Sequence, residues 1–470
     1  MGVLRPNHNC WKMVKAKRFA LLVDGSNYYA TVAESIRQAR KSVAILGWDL
    51  DSRVRLFPKL RRNRASLQRF FPEVVERNPE LEMYILTWSF PVIFAKVREP
   101  QLVLGRDPFQ HPRIHFKFDD THPPGASHHQ KIVVVDDDIA FCGGMDLAGG
   151  RWDTPEHRPN DPRREGKTGS YPASHDVQAI VDGDAAKALA EIVRDRWCRA
   201  TTESIPWTDQ YDSWPGAVLP DMTGIDVGIS RTEIEQLHLD LIAAARESIY
   251  IENQYLTSET IVDALCRRLQ ERQGPEILII LPLKNSGWLE EHTIEVLRFR
   301  CIKHLREKDR FNRLRVCYPV VQHSDGQPVG VHSKVIVIDD RLFRVGSANL
   351  TNRSMRLDTE CDITIEAANA EQRSQILKMR NRLLSEHLGL SPDCVRGSMI
   401  ELVDSRSSSP RCLRELPPDG SKTLILNASF VDPGEPVTAW YILRTLFSRK
   451  RSARSLPLSQ SRDDDQKQLA

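Results

Sequence analysis

The sequence predicts an α/β protein made of two duplicated α/β lobes. Three observations predict it. Four blocks of the first half recur in the same order in the second half. Within the blocks, strand-like runs alternate with helix-like ones. The same short motif, His-x-Lys-x-x-x-x-Asp, lies on an equivalent strand of each half.

The elements follow in order. Phe19 to Val23 is a short apolar run halted by Asp24 and Gly25. Residues 36–50 (IRQARKSVAILGWDL) match 242–256 (IAAARESIYIENQYL), each the end of an amphipathic helix, a polar turn and a strand. LEMYILTWSF (81–90) matches PEILIILPLK (275–284), both reading as buried strands. HHQKIVVVDDDIAFCGG (128–144) matches VHSKVIVIDDRLFRVGS (331–347), and HDVQAIV (175–181) matches ECDITIE (360–366). The first, third and fourth blocks are offset by 206, 203 and about 184, and the fall from 203 lies in the polar segment 154–174. Pro206, Pro215, Gly216, Pro220 and Gly224 interrupt the pattern between the halves. The first lobe is therefore expected over 1–215, the second over 216–395, and an extension over 396–470. A short helix is expected near 436–447, then a basic cluster (Arg449, Lys450, Arg451, Arg454) in a tail that reads as disordered.

Composition narrows the class. Of 470 residues, 40% are hydrophobic and 27% charged, which excludes a largely disordered chain. A net charge of +3 is too balanced for a histone-like nucleic-acid binder. Nine cysteines without a C-x-x-C pair read as reduced thiols, most of them in the core. Neither a bilayer-spanning run nor a signal-peptide, myristoylation or prenylation pattern is legible. The expectation is a cytoplasmic protein, peripheral on the inner face of the membrane at most.

The paired motifs carry the chemistry. They comprise His129, Lys131 and Asp136, then His332, Lys334 and Asp339. Side chains at i and i+2 of a strand share a face, so each histidine has a lysine beside it. Lysines suit the non-bridging oxygens of a phosphodiester, where charge builds up in the transition state. One histidine can attack phosphorus while the other protonates the departing alkoxide, one ring starting neutral and the other protonated. A carboxylate on the far ring nitrogen would fix each tautomer, and Asp176 and Glu360 begin equivalent strands. Ser347 and Asn349, with Asp146 at the position equivalent to Asn349, are expected at the phosphate. Asp136 and Asp339 lie seven residues from their histidines, roughly 23 Å along an extended strand, so their role is structural. His111, His115, His122 and His128 read as loop or rim residues. No carboxylate cluster or H-E-x-x-H motif calls for a metal, and no cofactor is expected.

These residues resemble the phospholipase D superfamily, whose members carry paired HKD motifs. The resemblance covers roughly 15–390 and is nearest to phospholipase D proper of the eukaryotic-like and bacterial branch. It rests on LGWDLDSR (46–53), SHHQKIVVVD (127–136), GGMDLAGGRWD (143–153), HDVQ (175–178), IENQY (251–255) and GSANLTNRSM (346–355). It implies a single site between the lobes on a pseudo-twofold axis, His129 as nucleophile, His332 as general acid, and metal-independent catalysis. Asp146 departs from a donor role at the phosphate, though that branch shares it.

The expected activity is cleavage of the distal phosphodiester of glycerophospholipids through a phosphohistidine. Water or a small alcohol would be the acceptor and a phospholipid surface the partner. Cardiolipin synthase-type transfer is the alternative. A nuclease is the other class, since Arg53, Arg55, Lys59, Arg61, Arg62, Arg64 and Arg69 could track phosphates. A solvated helix face or contact with anionic lipid accounts for them better. Segment 154–174 and the loop 284–293, with Trp288, are expected to shape specificity at the rim.

Overall fold

The computed structural model describes residues 2–57, 66–89, 106–166, 169–209, 211–284, 293–321, 328–417 and 431–436. The first half runs β1 (Lys12–Val23), α1 (Asp24–Gln38), β2 (Ser42–Gly47), α2 (Leu67–Arg77), β3 (Glu82–Trp88), β4 (Ile114–Asp119), β5 (Ile132–Val135) and β6 (Ile139–Gly143). Three two-residue strands follow, β7 (Glu165–Gly166), β8 (Gly169–Ser170) and β9 (Ser174–His175), then β10 (Val177–Asp182) and α3 (Asp184–Thr201). The second half repeats the plan with β11 (Met222–Ser230), α4 (Ile234–Ala244), β12 (Ser248–Glu252), α5 (Glu259–Gln270), β13 (Glu276–Ile280), α6 (Ile294–Lys308) and β14 (Leu314–Val321). It continues through β15 (Gly330–Val331), β16 (Val335–Ile338), β17 (Leu342–Gly346), α7 (Asn352–Arg356), β18 (Asp362–Glu366) and α8 (Ala370–Leu388). A 3₁₀ turn (Pro392–Cys394), α9 (Met399–Ser405) and β19 (Arg411–Glu415) close the described order.

The duplication is visible in the sheet. Its fifteen strands run β19-β14-β13-β12-β16-β17-β18-β11-β1-β10-β6-β5-β2-β3-β4. Outward from the middle, β1-β10-β6-β5-β2-β3-β4 mirrors β11-β18-β17-β16-β12-β13-β14, and β19 extends the second half. β1 and β11 pair antiparallel, from Lys12 opposite Ile229 to Phe19 opposite Met222, and join the halves into one sheet. No sequence repeat announced this seam. The outer triplets β2-β3-β4 and β12-β13-β14 are parallel. Strands β2, β5, β12 and β16, inside each half, are buried on both faces, which explains continuous apolar runs such as Ile-Val-Val-Val in β5.

Three apolar cores hold the fold. α1 and α2 cover the outer face of the first half, and α4, α5 and α6 that of the second. α3 and α8 lie on a core shared by both halves, where Phe19, Cys142 and Val177 meet Phe343, Val345 and Ile363. α8 is capped by Asn369, which accepts from Gln372 N at 2.9 Å, and ends at Gly389 in the left-handed region (φ 63°). Among the described residues no helix is long and apolar enough to cross a membrane. All nine cysteines are free; Cys198 and Cys394 are exposed and the other seven buried.

The terminal aspartate of each motif explains the strand ends. Asp136 and Asp339 leave β5 and β16 in the left-handed region (φ 52° and 54°), which aspartate tolerates better than most residues. Asp136 accepts from Arg40, Lys41 and Ser42 N at 2.7–2.9 Å. Asp339 accepts from Arg246, Glu247 and Ser248 N at 2.8–3.0 Å. Each carboxylate thus locks the turn that enters the neighbouring strand, at the opposite end of its own strand from the histidine.

Candidate active site

The histidines sit just before β5 and β16, each tied to the opposite half through its backbone. His129 N donates to Thr359 O at 3.0 Å, and His332 N donates to His175 O at 2.9 Å. The next residue along each partner segment supplies a carboxylate. Glu360 therefore reaches His129 Nδ1, with both oxygens at 3.0 Å, and Asp176 reaches His332 Nδ1 at 2.8 Å. Each half lends its carboxylate to the other half's histidine. The imidazoles are 14% and 9% exposed, while the carboxylates are sealed.

The lysines fold back on their own motifs. Lys131 Nζ donates to His129 O at 3.0 Å, and Lys334 Nζ donates to His332 O. Beyond that the halves differ. Lys131 pairs with Asp146 at 3.2 Å. Lys334 meets Gln254 Oε1 at 3.3 Å and, among the described residues, has no carboxylate at ion-pair distance. The repeat offsets make Trp48 the counterpart of Gln254 and Asp146 that of Asn349. Trp48 N donates to Asp146 Oδ1 at 2.9 Å, and its ring stacks on Trp88 with centroids 5.6 Å apart.

Burial dominates the electrostatics. It pushes both catalytic-site imidazoles well below their usual range, helped for His129 by Lys131 and Lys334. For His332 the same is done by Arg151, Lys334 and Lys131. Both directions favour the neutral ring, so they lend no support to the expected split of one ring neutral and one protonated. Burial also raises Asp176 and Glu360, so each histidine–carboxylate pair favours holding a shared proton. Lys334 is pushed down to about 7 by burial and the nearby Lys131 and Arg151, with Asp176 opposing.

Several expectations need correction. Ser347, expected at the phosphate, turns its hydroxyl onto Glu360 Oε2 at 2.5 Å and is fully buried. It orients the carboxylate that orients His129. Its counterpart Gly144 leaves no room for a side chain, because a Cβ there would lie 2.1 Å from Asp176 Oδ1. Asp146 is occupied by Lys131 and the Trp48 amide, as a carboxylate acceptor must be, and is no phosphate donor. Asn349 remains beside the site, 4% exposed, with its side-chain carbonyl buried and, among the described residues, unpartnered.

His128 is not a rim residue. It is fully buried between Asp119 (3.3 Å) and Arg196, and burial with Arg196 pushes it down to about 3. His115 lies on β4 and pairs with Glu82 at 2.7 Å. His111 and His122 do lie in loops, where His122 accepts from Trp88 Nε1. Of the basic stretch, Arg53 and Arg55 are paired with Asp51 and Glu165. Residues 59–64, most of the loop 284–293 with Trp288, and the segments 437–447 and 449–454 lie outside the described residues.

The sequence offered no metal motif, yet the fold assembles a buried cluster behind Asp176. Asp24, His157, His175 and Glu386, from four separate segments, bring donor atoms within 4.8 Å of one another. His175 Nδ1 lies 2.8 Å from Glu386 and 3.1 Å from Asp24; His157 Nε2 lies 3.1 Å from Glu386. The other ring nitrogens face Asp153 (3.0 Å) and Glu252 (2.9 Å). This donor set could hold a divalent cation with carboxylates behind both imidazoles. Protons can serve instead: against burial, Asp24, Asp153 and Glu386 push His157 up to about 9. Segment 154–174 thus places His157 and Arg164, the latter on Asp153 at 3.0 Å, beneath the site and not only at its rim.

Both halves of the chain are similar to known proteins. Residues 117–213 match a family model described as phospholipase D, and 238–380 match one described as cardiolipin synthase, PLD-like domain. Phospholipase D A of Dictyostelium discoideum is 25% identical over 79% of this chain and 36% of its own. Phospholipase D1 of Saccharomyces cerevisiae is 23% identical over 82% and 29%, and phospholipase D alpha 4 of Arabidopsis thaliana 24% over 83% and 66%. The chain spans about a third of the length of the first two. A solved phosphatidylserine synthase from Haemophilus influenzae shares the fold, with a TM-score of 0.53 and 15% identity over 79% of this chain and 87% of its own. With one matched domain and one histidine–lysine motif in each half, the chain belongs to the phospholipase D superfamily.

Proposed function

We propose that the protein is a phospholipase D, cleaving the distal phosphodiester of glycerophospholipids to phosphatidate and the head-group alcohol. One observation supports it above the rest: two histidine–carboxylate pairs, crossed between the halves, each with a lysine folded beside it. Glu360 takes the Nδ1 proton of His129 in a hydrogen bond and leaves the Nε2 lone pair for phosphorus. Attack forms the N–P bond, and the P–O bond to the head group breaks. Asp176 holds His332 with Nε2 turned to the cleft, from which its proton passes to the departing oxygen. Both rings are held neutral in the free site, so the phosphodiester's negative charge is what draws the second proton onto His332. Lys131 and Lys334 neutralise the non-bridging oxygens. Water or an alcohol then gives its proton to His332 and displaces His129, which makes transphosphatidylation part of the same route. The reaction takes place at a lipid surface, with the protein peripheral to it. Nucleic acid is a poorer fit, since two arginines of the basic stretch are already paired.

A second reading, phosphatidyl transfer to phosphatidylglycerol, draws support from the family model that matches 238–380. One experiment separates them. Purified protein is given vesicles of phosphatidylcholine, phosphatidylethanolamine and phosphatidylglycerol with ethanol, and products are read by mass spectrometry. Phosphatidate and phosphatidylethanol that vanish in His129→Ala and His332→Ala are expected. Cardiolipin as the main product would favour the second reading, and no lipid turnover by folded protein would reject both.

A further inference from the structure

Two loops of the second half-site are held by a residue outside both repeats. Asp432 is 2% exposed. Its Oδ2 accepts from Thr257 Oγ1 at 2.6 Å and Asn352 N at 2.9 Å, and its Oδ1 from Arg353 N at 2.9 Å. Asn352 and Arg353 open α7, whose first amides have no acceptor within the helix. Thr257 ends the segment that brings Gln254 to Lys334. Around this carboxylate, Thr257 N and Ser258 N donate to Leu350 O, and Leu350 N donates to Asn253 Oδ1.

The held segment leads into the site in two directions. Upstream of α7 lies Asn349. Within α7, the buried Ser354 hydroxyl faces Glu360, the partner of His129, and favours its charged form. Arg353 also clasps Asp358 (2.9 Å), which accepts from Ser127 N at 2.7 Å, two residues before His129.

The first half-site is built differently. Its counterpart of Thr257 is Asp51 and that of Asn352 is Gly149, by the repeat offsets. Asp51 N donates to Leu147 O, as Thr257 N does to Leu350 O. The Asp51 carboxylate lies against Gly149, 3.8 Å from where a Cβ would stand. The first half thus keeps its carboxylate within its own loop. The second half has a threonine there, and its carboxylate comes from 80 residues beyond Asn352.

We infer that Asp432 is a positioning residue for the reaction, and that the second half-site is complete only when the C-terminal extension delivers it. The activity arm of the test rests on the phospholipase reading above; the exchange arm does not. In the full chain, Asp432→Asn is compared with wild type, with Thr257→Val, and with the double variant Thr257→Asp/Asp432→Asn. The double variant moves the carboxylate to where the first half keeps its own. Asp432→Asn is expected to lower kcat on phosphatidylcholine about 30-fold with KM little changed. It should speed amide hydrogen exchange across 349–354 while leaving 146–151 as in wild type. Thr257→Val should do the same more weakly, and the double variant should recover most of the activity and protection. Unchanged exchange across 349–354 in Asp432→Asn would overturn the inference. So would a loss of activity that relocating the carboxylate does not repair, or a uniform rise in exchange over both half-sites. If wild type turns over no phosphatidylcholine, the phospholipase reading fails and exchange alone decides the role of Asp432.

Discussion

The two half-sites are built on one scaffold and differ in what surrounds the lysine. Lys131 has a carboxylate at 3.2 Å and Trp48 alongside; Lys334 has two amides, Gln254 and Asn349, at the equivalent positions. Equivalent strands, turns and histidine–carboxylate pairs thus carry unlike charge. The scaffold supplies geometry twice, and a few loop residues make one half different from the other. An asymmetric reaction, in which one histidine attacks and the other donates a proton, needs such a difference.

The crossed carboxylates give the largest expected effects. Asp176→Asn and Glu360→Gln should each lower kcat by about 10³–10⁴, because an amide cannot hold the same tautomer. The comparison sharpens with a phosphatidyl ester of p-nitrophenol, whose leaving group needs no proton. Most of the loss in Asp176→Asn should then disappear from the first-turnover burst of p-nitrophenol, since only the later hydrolysis still needs His332, while the burst of Glu360→Gln stays slow. Equal recovery in both would show that the halves do not divide the roles as proposed.

A smaller effect follows from Lys334. With its pKa pushed down to about 7, its positive charge is complete below that pH and lost above it. In the free enzyme kcat/KM should therefore fall as pH rises through about 7 to 8. Asn349→Asp gives Lys334 the kind of neighbour Lys131 has, and should move this alkaline limb upward by about one pH unit. An unmoved limb in a pH–rate profile would assign the titration to another group.

At the far strand ends the halves should behave alike. Asp136→Ala and Asp339→Ala each remove a buried carboxylate that accepts three backbone amides. A loss of about 3 kcal/mol is expected for either, measured by urea unfolding. A difference well beyond 1 kcal/mol would mean the turns are not equivalent despite their matching bonds. Least of all, Ser347→Ala frees Glu360 of one donor and should cost about threefold in kcat, read in the same lipid assay.

What the sequence disclosed divides along physical lines. Period-two alternation placed each lysine beside its histidine, and strand length removed Asp136 and Asp339 from the chemistry. Asp176 and Glu360 were legible as carboxylates at equivalent strands. Their exchange between halves was not, since a repeat alignment says nothing of how two lobes face each other. Ser347 was misread because a hydroxyl beside a phosphate site has the same signature as one beside a carboxylate. The cluster of Asp24, His157, His175 and Glu386 left no motif, because each member comes from a different element. Asp432 was invisible for a simpler reason: it has no repeat partner.

The exchange of carboxylates also bears on how the protein is made. His129 meets Glu360 across 231 residues of chain, and His332 meets Asp176 across 156. Contacts of such separation form late, after loop closure has been achieved. A ribosome that has released the first half has released a histidine and a lysine without the group that aims them. Neither half-site is therefore complete in the growing chain, and both are finished only once the second half has folded against the first.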